Sequence, residues 1–196
     1  MNVRTATVER LTRETRIQAT LTLDGSSQVD VHTGLGFLDH MLTALATHAR
    51  FDLHLRAEGD LHIDDHHTAE DTAIVLGQAL REALGDRRGV QRFGSAYAPL
   101  DEALVRAVVD LSGRPWPEIH LGWSRERLGD VATENLTHFF ETLAMSAQCN
   151  LHVDLLRGRN DHHKAEAAFK ATALALRAAV SRAGHSQVPS TKGVLQ

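Results

Sequence analysis

Cysteine is almost absent: Cys149 is the only one in 196 residues, which excludes an internal disulfide and suits a reducing compartment. No apolar run approaches the roughly 18 residues that a membrane-spanning helix needs. The opening MNVRTATVERLTRET lacks the apolar stretch of a secretory signal. Positive charge is not in excess either. A formal net charge of −4 gives no electrostatic reason to expect nucleic acid or an anionic membrane as a partner. The Gly-rich phosphate loop of a dinucleotide fold is also missing. What remains is the expectation of a cytoplasmic globular protein, 42% hydrophobic and 23% charged, with enough chain for one domain or two small fused ones.

Histidine is what the chain has in excess, with 13 scattered along its length. The motif His-His-x-x-Glu occurs twice, as His66, His67 and Glu70 and as His162, His163 and Glu166. Each copy follows another histidine at nearly the same distance, His40 by 26 positions and His138 by 24. Each motif with its upstream histidine offers three imidazoles and a carboxylate, a transition-metal ligand set. Chance rarely duplicates such a set together with its spacing. Adjacent residues on a helix project about 100° apart, so the two histidines of a pair cannot easily serve one ion. Either can share an ion with the glutamate one turn on. The eight candidates therefore divide between two ions, and open coordination positions would receive a substrate. Imidazole-rich ligation suits zinc, iron or nickel, and the carboxylate admits manganese. His48, further along the same helix as His40, is a further candidate for facing the site.

The chain also reads as two halves on one plan, about 5–90 and 92–184, within a single unit spanning 1–196. ETRIQATLTLDG and EALVRAVVDLSG alternate apolar residues with period two, as half-buried strands do. Their offset of 88 pairs Glu14 with Glu102. Amphipathic helices are expected over 37–48 and 136–147, with His40 and His138 in matching places. Strands recur in FDLHLRAEG and CNLHVDLLRG. Each metal motif then opens a long helix, one ending near Leu84 before Gly85, the other near Arg182 before Gly184. Asp64, Asp65 and Asp161 stand where N-cap or helix-dipole roles are expected. Residues 114–135 are the least regular and are expected to hold a strand and a loop, and the polar tail from Gly184, 185–196 in all, is expected to be mobile. The order strand, helix, strand, helix, twice over, gives an α+β protein of two pseudo-equivalent halves, each a sheet backed by two helices.

These segments closely resemble the imidazoleglycerol-phosphate dehydratase family of histidine biosynthesis. The resemblance rests on GLGFLDHML at 34–42, DLHIDDHHTAEDTAIVLGQAL at 60–80, RFGSAYAPLDEAL at 92–104, DLSGRP at 110–115, HFFETLA at 138–144, DHHKAEAAFKA at 161–171 and PSTKGVL at 189–195. It implies a fold of two four-stranded mixed sheets with paired helices, a ribosomal S5 domain 2-like duplication. It implies a monofunctional lyase that dehydrates D-erythro-imidazole-glycerol phosphate to imidazole-acetol phosphate. Two Mn2+ ions per active site, bound by His40, His66, His67, Glu70, His138, His162, His163 and Glu166, would lie between protomers of a homo-24-mer. Glu14 matches the family's catalytic glutamate. Arg92, Arg114, Lys170, Ser190 and Lys192 match positions that hold the substrate, chiefly its phosphate. Ala44 departs from the glutamine that many relatives carry. Two rival readings are a di-metal hydrolase, for which bridging carboxylates are lacking, and a metal store, which leaves Glu14 and the basic positions without a task.

Overall fold

The computed structural model describes residues 3–193 and 195; Met1 and Asn2 of the expected unit, and Val194 and Gln196 of the expected tail, lie outside the described residues. The first half contains β1 (Thr5–Leu11), β2 (Thr15–Thr22), β3 (Val29–His32), α1 (Gly36–Ala49), β4 (Asp52–Gly59) and α2 (His66–Leu84). The second contains β5 (Phe93–Leu100), β6 (Ala103–Asp110), β7 (Trp116–His120), a small hairpin of β8 (Arg127–Leu128) and β9 (Val131–Ala132), then α3 (Thr133–Ala147), β10 (Asn150–Arg157) and α4 (Asp161–Val180). The two mixed sheets repeat one topology, β1-β2-β4-β3 and β5-β6-β10-β7. In each, the last pair is parallel and the others antiparallel. The fold is therefore α+β and duplicated, with each sheet backed by helices.

Alternation decides which face of each sheet is covered. Ile17, Ala19 and Leu21 of β2 point inward, as do Val105, Ala107 and Val109 of β6. Across the ladder, Ile17 stands opposite Ala57, and Ala19 opposite Leu55, so both strands send apolar side chains to one side. The helices fill that side and exchange halves in doing so. α2 lies on β1 and β2 and packs against α3; α4 lies on β5 and β6 and packs against α1. Phe139 and Phe140 of α3 meet Phe169 of α4 at ring-centroid distances of 5.5 and 4.6 Å. α4 is rich in buried alanine because the layers approach closely. A Cβ on Gly94 of β5 would lie 2.8 Å from the Ala179 amide nitrogen of α4.

Four strands beyond the periodic ones complete the sheets, of which β7 lies in the irregular stretch 114–135 where a strand is expected. β1 and β5 lie at sheet edges, and β3 has only four residues, so none carries a full apolar stripe. Two expected boundaries move. α3 begins at Thr133, three residues before 136, and absorbs the end of the irregular stretch. α4 stops at Val180, before Arg182, and Gly184 does not cap it. Its last carbonyls are taken by neighbouring backbone instead: Arg92 N–H donates to Ala179 O and Gln91 N–H to Ser181 O. Arg182 then bridges to Val90. The aspartates before the motifs fall partly as expected: Asp65 is the N-cap residue of α2, and Asp161 lies in the first turn of α4. Asp64 accepts from His66 N–H, but Asp65 makes no cap hydrogen bond, and Asn160 caps α4. Asp65 and Asp161 are buried and tie the helix starts to residues 124–135.

Candidate metal centre

Because α1 packs on α4 and α2 on α3, each upstream histidine meets the motif of the other half. His40 joins His162 and Glu166, and His138 joins His66 and Glu70. The sequence order had grouped each histidine with the motif that follows it; helix packing crosses the sets. In each cluster one nitrogen or oxygen per residue lies within 4.8 Å of the others. His138 Nε2 is 3.0 Å from Glu70 Oε1, with His66 Nε2 3.9 Å from Oε2. Glu166 Oε2 is 3.4 Å from His40 Nε2 and 3.3 Å from His162 Nε2. Two imidazoles and a carboxylate, converging and accessible, fit a divalent ion with room for further ligands.

Among the described residues, His67 and His163 enter neither cluster. They project from their helices about 100° away from their neighbours, as helical geometry requires. Each is backed by a carboxylate at Nδ1, which leaves Nε2 outward. His67 Nδ1 lies 3.1 Å from Asp60, and His163 Nδ1 lies 2.7 Å from Glu102. Those hydrogen bonds, to Asp60 and Glu102 respectively, raise both imidazoles above their ordinary pKa against the opposing effect of desolvation.

Glu14 and Glu102 hold the same position before β2 and β6 but not the same job. Glu102 accepts from Asn160 N–H at 2.7 Å and Arg159 N–H at 3.0 Å as well as from His163, and these bonds bring its carboxyl down to about 2. Glu14 is uncommitted by comparison. Its carboxylate is exposed and its nearest charged neighbour is His67 Nε2 at 3.8 Å. Asp101 stands 3.8 Å from His163 Nε2.

The basic positions fall into two places. Arg92, Arg114, Ser190 and Lys192 line one cavity of about 330 Å³, with Ser112, Thr191 and Leu195. Arg92 bridges Asp110 at 2.7 Å and donates to Pro189 O at 2.7 Å, so the described part of the tail docks on it. Lys170 is elsewhere, 2.7 Å from Glu166. Burial pushes the Glu166 carboxyl up, but Lys170 and His40 outweigh it and leave it below the usual range. His48 is exposed on α1, outside both clusters.

Sequence reasoning missed Asn135 and Asp60. Asn135 Oδ1 accepts from His66 Nδ1 at 2.9 Å. It stands three residues before His138, on the same face of α3, but the helix expected over 136–147 begins after it. Asp60 lies in a turn seven residues before His67, where no periodicity marks it.

Comparison with known proteins gives one family throughout. The family model described as imidazoleglycerol-phosphate dehydratase matches residues 33–176. The imidazoleglycerol-phosphate dehydratase of Candida glabrata is 54% identical over 97% of this chain and 99% of its own length. That of Phytophthora nicotianae is 58% identical over 98% of this chain, which spans 43% of that longer relative. The crystal structure from Pyrococcus furiosus superposes with a TM-score of 0.84 at 38% identity, covering 96% of this chain and all of that one. The Staphylococcus aureus enzyme gives 0.82 at 38% identity, covering 91% and 99% of the two chains. A duplicated sheet, two crossed histidine–glutamate clusters and full-length similarity together place this chain in the imidazoleglycerol-phosphate dehydratase family.

Proposed function

We propose that this chain dehydrates D-erythro-imidazole-glycerol phosphate to imidazole-acetol phosphate, a step of histidine biosynthesis in the cytoplasm, with two Mn2+ ions per active site. The observation that carries the reading is the pair of converging clusters, His66/Glu70/His138 and His40/His162/Glu166. Bound there, two ions would act as Lewis acids on the substrate's ring nitrogens and let the ring hold charge as an imidazolate. A di-metal hydrolase would want a carboxylate shared by both ions, and Glu70 and Glu166 belong to separate clusters.

The chain's own groups supply the rest. The hydroxyl to be lost sits on the carbon attached to the ring, and the proton to be lost sits on the next carbon, where no carbonyl acidifies it. Glu14 is the base that works at that carbon or, once it carries that proton, the acid at the departing hydroxyl, which leaves as water as the carbon–carbon double bond forms. The enol that forms tautomerises to the ketone. Arg92, Arg114, Ser190 and Lys192 hold the phosphate through charge-assisted hydrogen bonds, and Lys170 approaches it from α4. The tail beyond Gly184, docked through Pro189, closes over it when substrate binds.

Each cluster has two imidazoles where three are wanted, and His67 and His163 face outward. A neighbouring protomer's copies of these histidines complete the sites, which supports a homo-oligomer, a 24-mer by the family's pattern. Exposed Phe93, Tyr97, Trp116 and Met145 are apolar surface suited to contacts between copies.

The test is turnover of imidazole-glycerol phosphate by chelated protein before and after adding Mn2+, with light scattering in parallel. Activity and a large particle should both return with metal. Full turnover by fully metal-free protein would overturn the reading.

A further inference from the structure

The two clusters are related by the duplication but are not chemically alike. The offset of 98 that aligns His40 with His138 also aligns Phe37 with Asn135. The offset of 96 that aligns Glu70 with Glu166 aligns Ile74 with Lys170. Both differences bear on the ligands.

In the His66 cluster the imidazole is braced. Asp65, almost fully buried, accepts from Ala132 N–H at 2.8 Å, from an Arg127 guanidinium N–H at 2.9 Å and from Asn135 Nδ2 at 2.9 Å. That last bond fixes the amide with its oxygen toward His66. Asn135 Oδ1 then requires a proton on His66 Nδ1, so the Nε2 lone pair faces the cluster. The His138 ring stacks on His66 at 5.1 Å and 15°. Carboxylate, amide and imidazole form a chain that sets both tautomer and ring angle before any ion arrives.

In the His162 cluster that support is gone. Phe37 puts its ring edge-on to His162 at 5.3 Å and offers no acceptor. Among the described residues His162 Nδ1 has no partner, so no hydrogen bond behind the ring sets its tautomer. Glu166 already spends one oxygen on the Lys170 ammonium, at 2.7 Å. An incoming dication must share that carboxylate with a like charge. The histidines available to complete the sites do not even this out, because His67 and His163 are both carboxylate-backed.

We propose that the clusters bind their ions unequally: His66/Glu70/His138, braced by Asn135, is the tight site, and His40/His162/Glu166, opposed by Lys170, is the loose and exchangeable one. This rests on the metal reading above. Loss of a hydrogen-bonding partner behind a ligand histidine typically costs about 10–100-fold in metal affinity, which sets the expected gap.

The experiment is titration of chelator-stripped full-length protein with Mn2+, following free ion by electron paramagnetic resonance. The parent should show two classes, one site each per chain, separated by about 10–100-fold. Asn135→Leu should weaken the tight class by a similar factor and leave the loose one in place. Lys170→Met, and separately Phe37→Asn, should tighten the loose class only; these two keep the idea testable if Asn135→Leu does not fold. Two equal sites in the parent, or an Asn135 variant that alters only the loose class, would overturn the inequality and leave the metal reading standing. Absence of any bound Mn2+ would overturn both.

Discussion

Asp161→Asn should cost far more stability than a change of one atom suggests. Asp161 is 1% exposed and Lys164, one turn on, is 4% exposed, with Oδ1 and Nζ 2.7 Å apart. Asp161 Oδ2 also accepts from Ser124 N–H at 2.7 Å and Arg125 N–H at 2.6 Å, while Lys164 Nζ donates to Gly122 O at 2.8 Å. Asparagine keeps the shape and an acceptor for the two amides but leaves a buried ammonium opposed by one carbonyl. Removing one partner of a buried ion pair costs about 3–5 kcal/mol, and the surviving Gly122 bond puts this case near the lower end, about 3 kcal/mol. Replacing both, Asp161→Asn with Lys164→Met, removes the stranded charge and should return to within about 1 kcal/mol of the parent. The assay is urea denaturation of chelated protein at fixed concentration, followed through the fluorescence of Trp123 beside this pair. A pH signature accompanies it. Burial pushes the Asp161 carboxyl up, but Lys164 and the two backbone amides more than offset this and hold it below its ordinary 3.8. Its contribution is therefore complete above that value and lost as pH falls through the depressed one, so the gap between parent and Asp161→Asn narrows in acid. A single variant costing under about 1 kcal/mol, or a double variant no better than the single, would refute the reasoning.

Glu14→Gln should lower turnover by about 10²–10⁴-fold with bound Mn2+ and melting temperature unchanged, whereas Glu102→Gln should lower the melting temperature; kinetics and calorimetry on both variants separate the two roles. Gly94→Ala should destabilise by about 1–3 kcal/mol in urea, because a methyl there meets the backbone of α4. Gly85→Ala, which meets nothing but sits at φ 59 and ψ −129, a conformation L side chains rarely adopt, should cost about 1–3 kcal/mol from backbone strain alone. Hydrogen bonding from Arg4 takes the Asp24 carboxyl down to about 2, so its stabilisation is whole above 3.8 and disappears toward pH 2. Asp24→Asn should therefore be less stable at neutral pH, by about 1 kcal/mol after allowance for its partial exposure, with the gap closing as pH falls through about 2.

The elements that were legible before any coordinates are those whose periodicity is complete. β2 and β6 bury every second residue, and α2 ends at Leu84 before Gly85 as its sequence predicts. The ligand candidates were legible because the motif repeats. Their grouping was not, since the packing of α1 on α4 is a property of the folded layers and leaves no trace in spacing along the chain. Glu14 and Glu102 look equivalent on paper; only the hydrogen bonds from residues 159, 160 and 163 tell them apart. Asn135 escaped notice for a similar reason, as its importance comes from a partner 69 positions away.

The crossing of helices between the halves has an ancestral consequence. Neither half alone contains a complete cluster, so a half-length forerunner could have gripped metal only as a pair of identical chains, each lending its first helix to the other's last. Two such chains would have made two identical sites, condemned by symmetry to the same chemistry. Joining them end to end removed that constraint, and a phenylalanine and an asparagine could then stand at what had been one position.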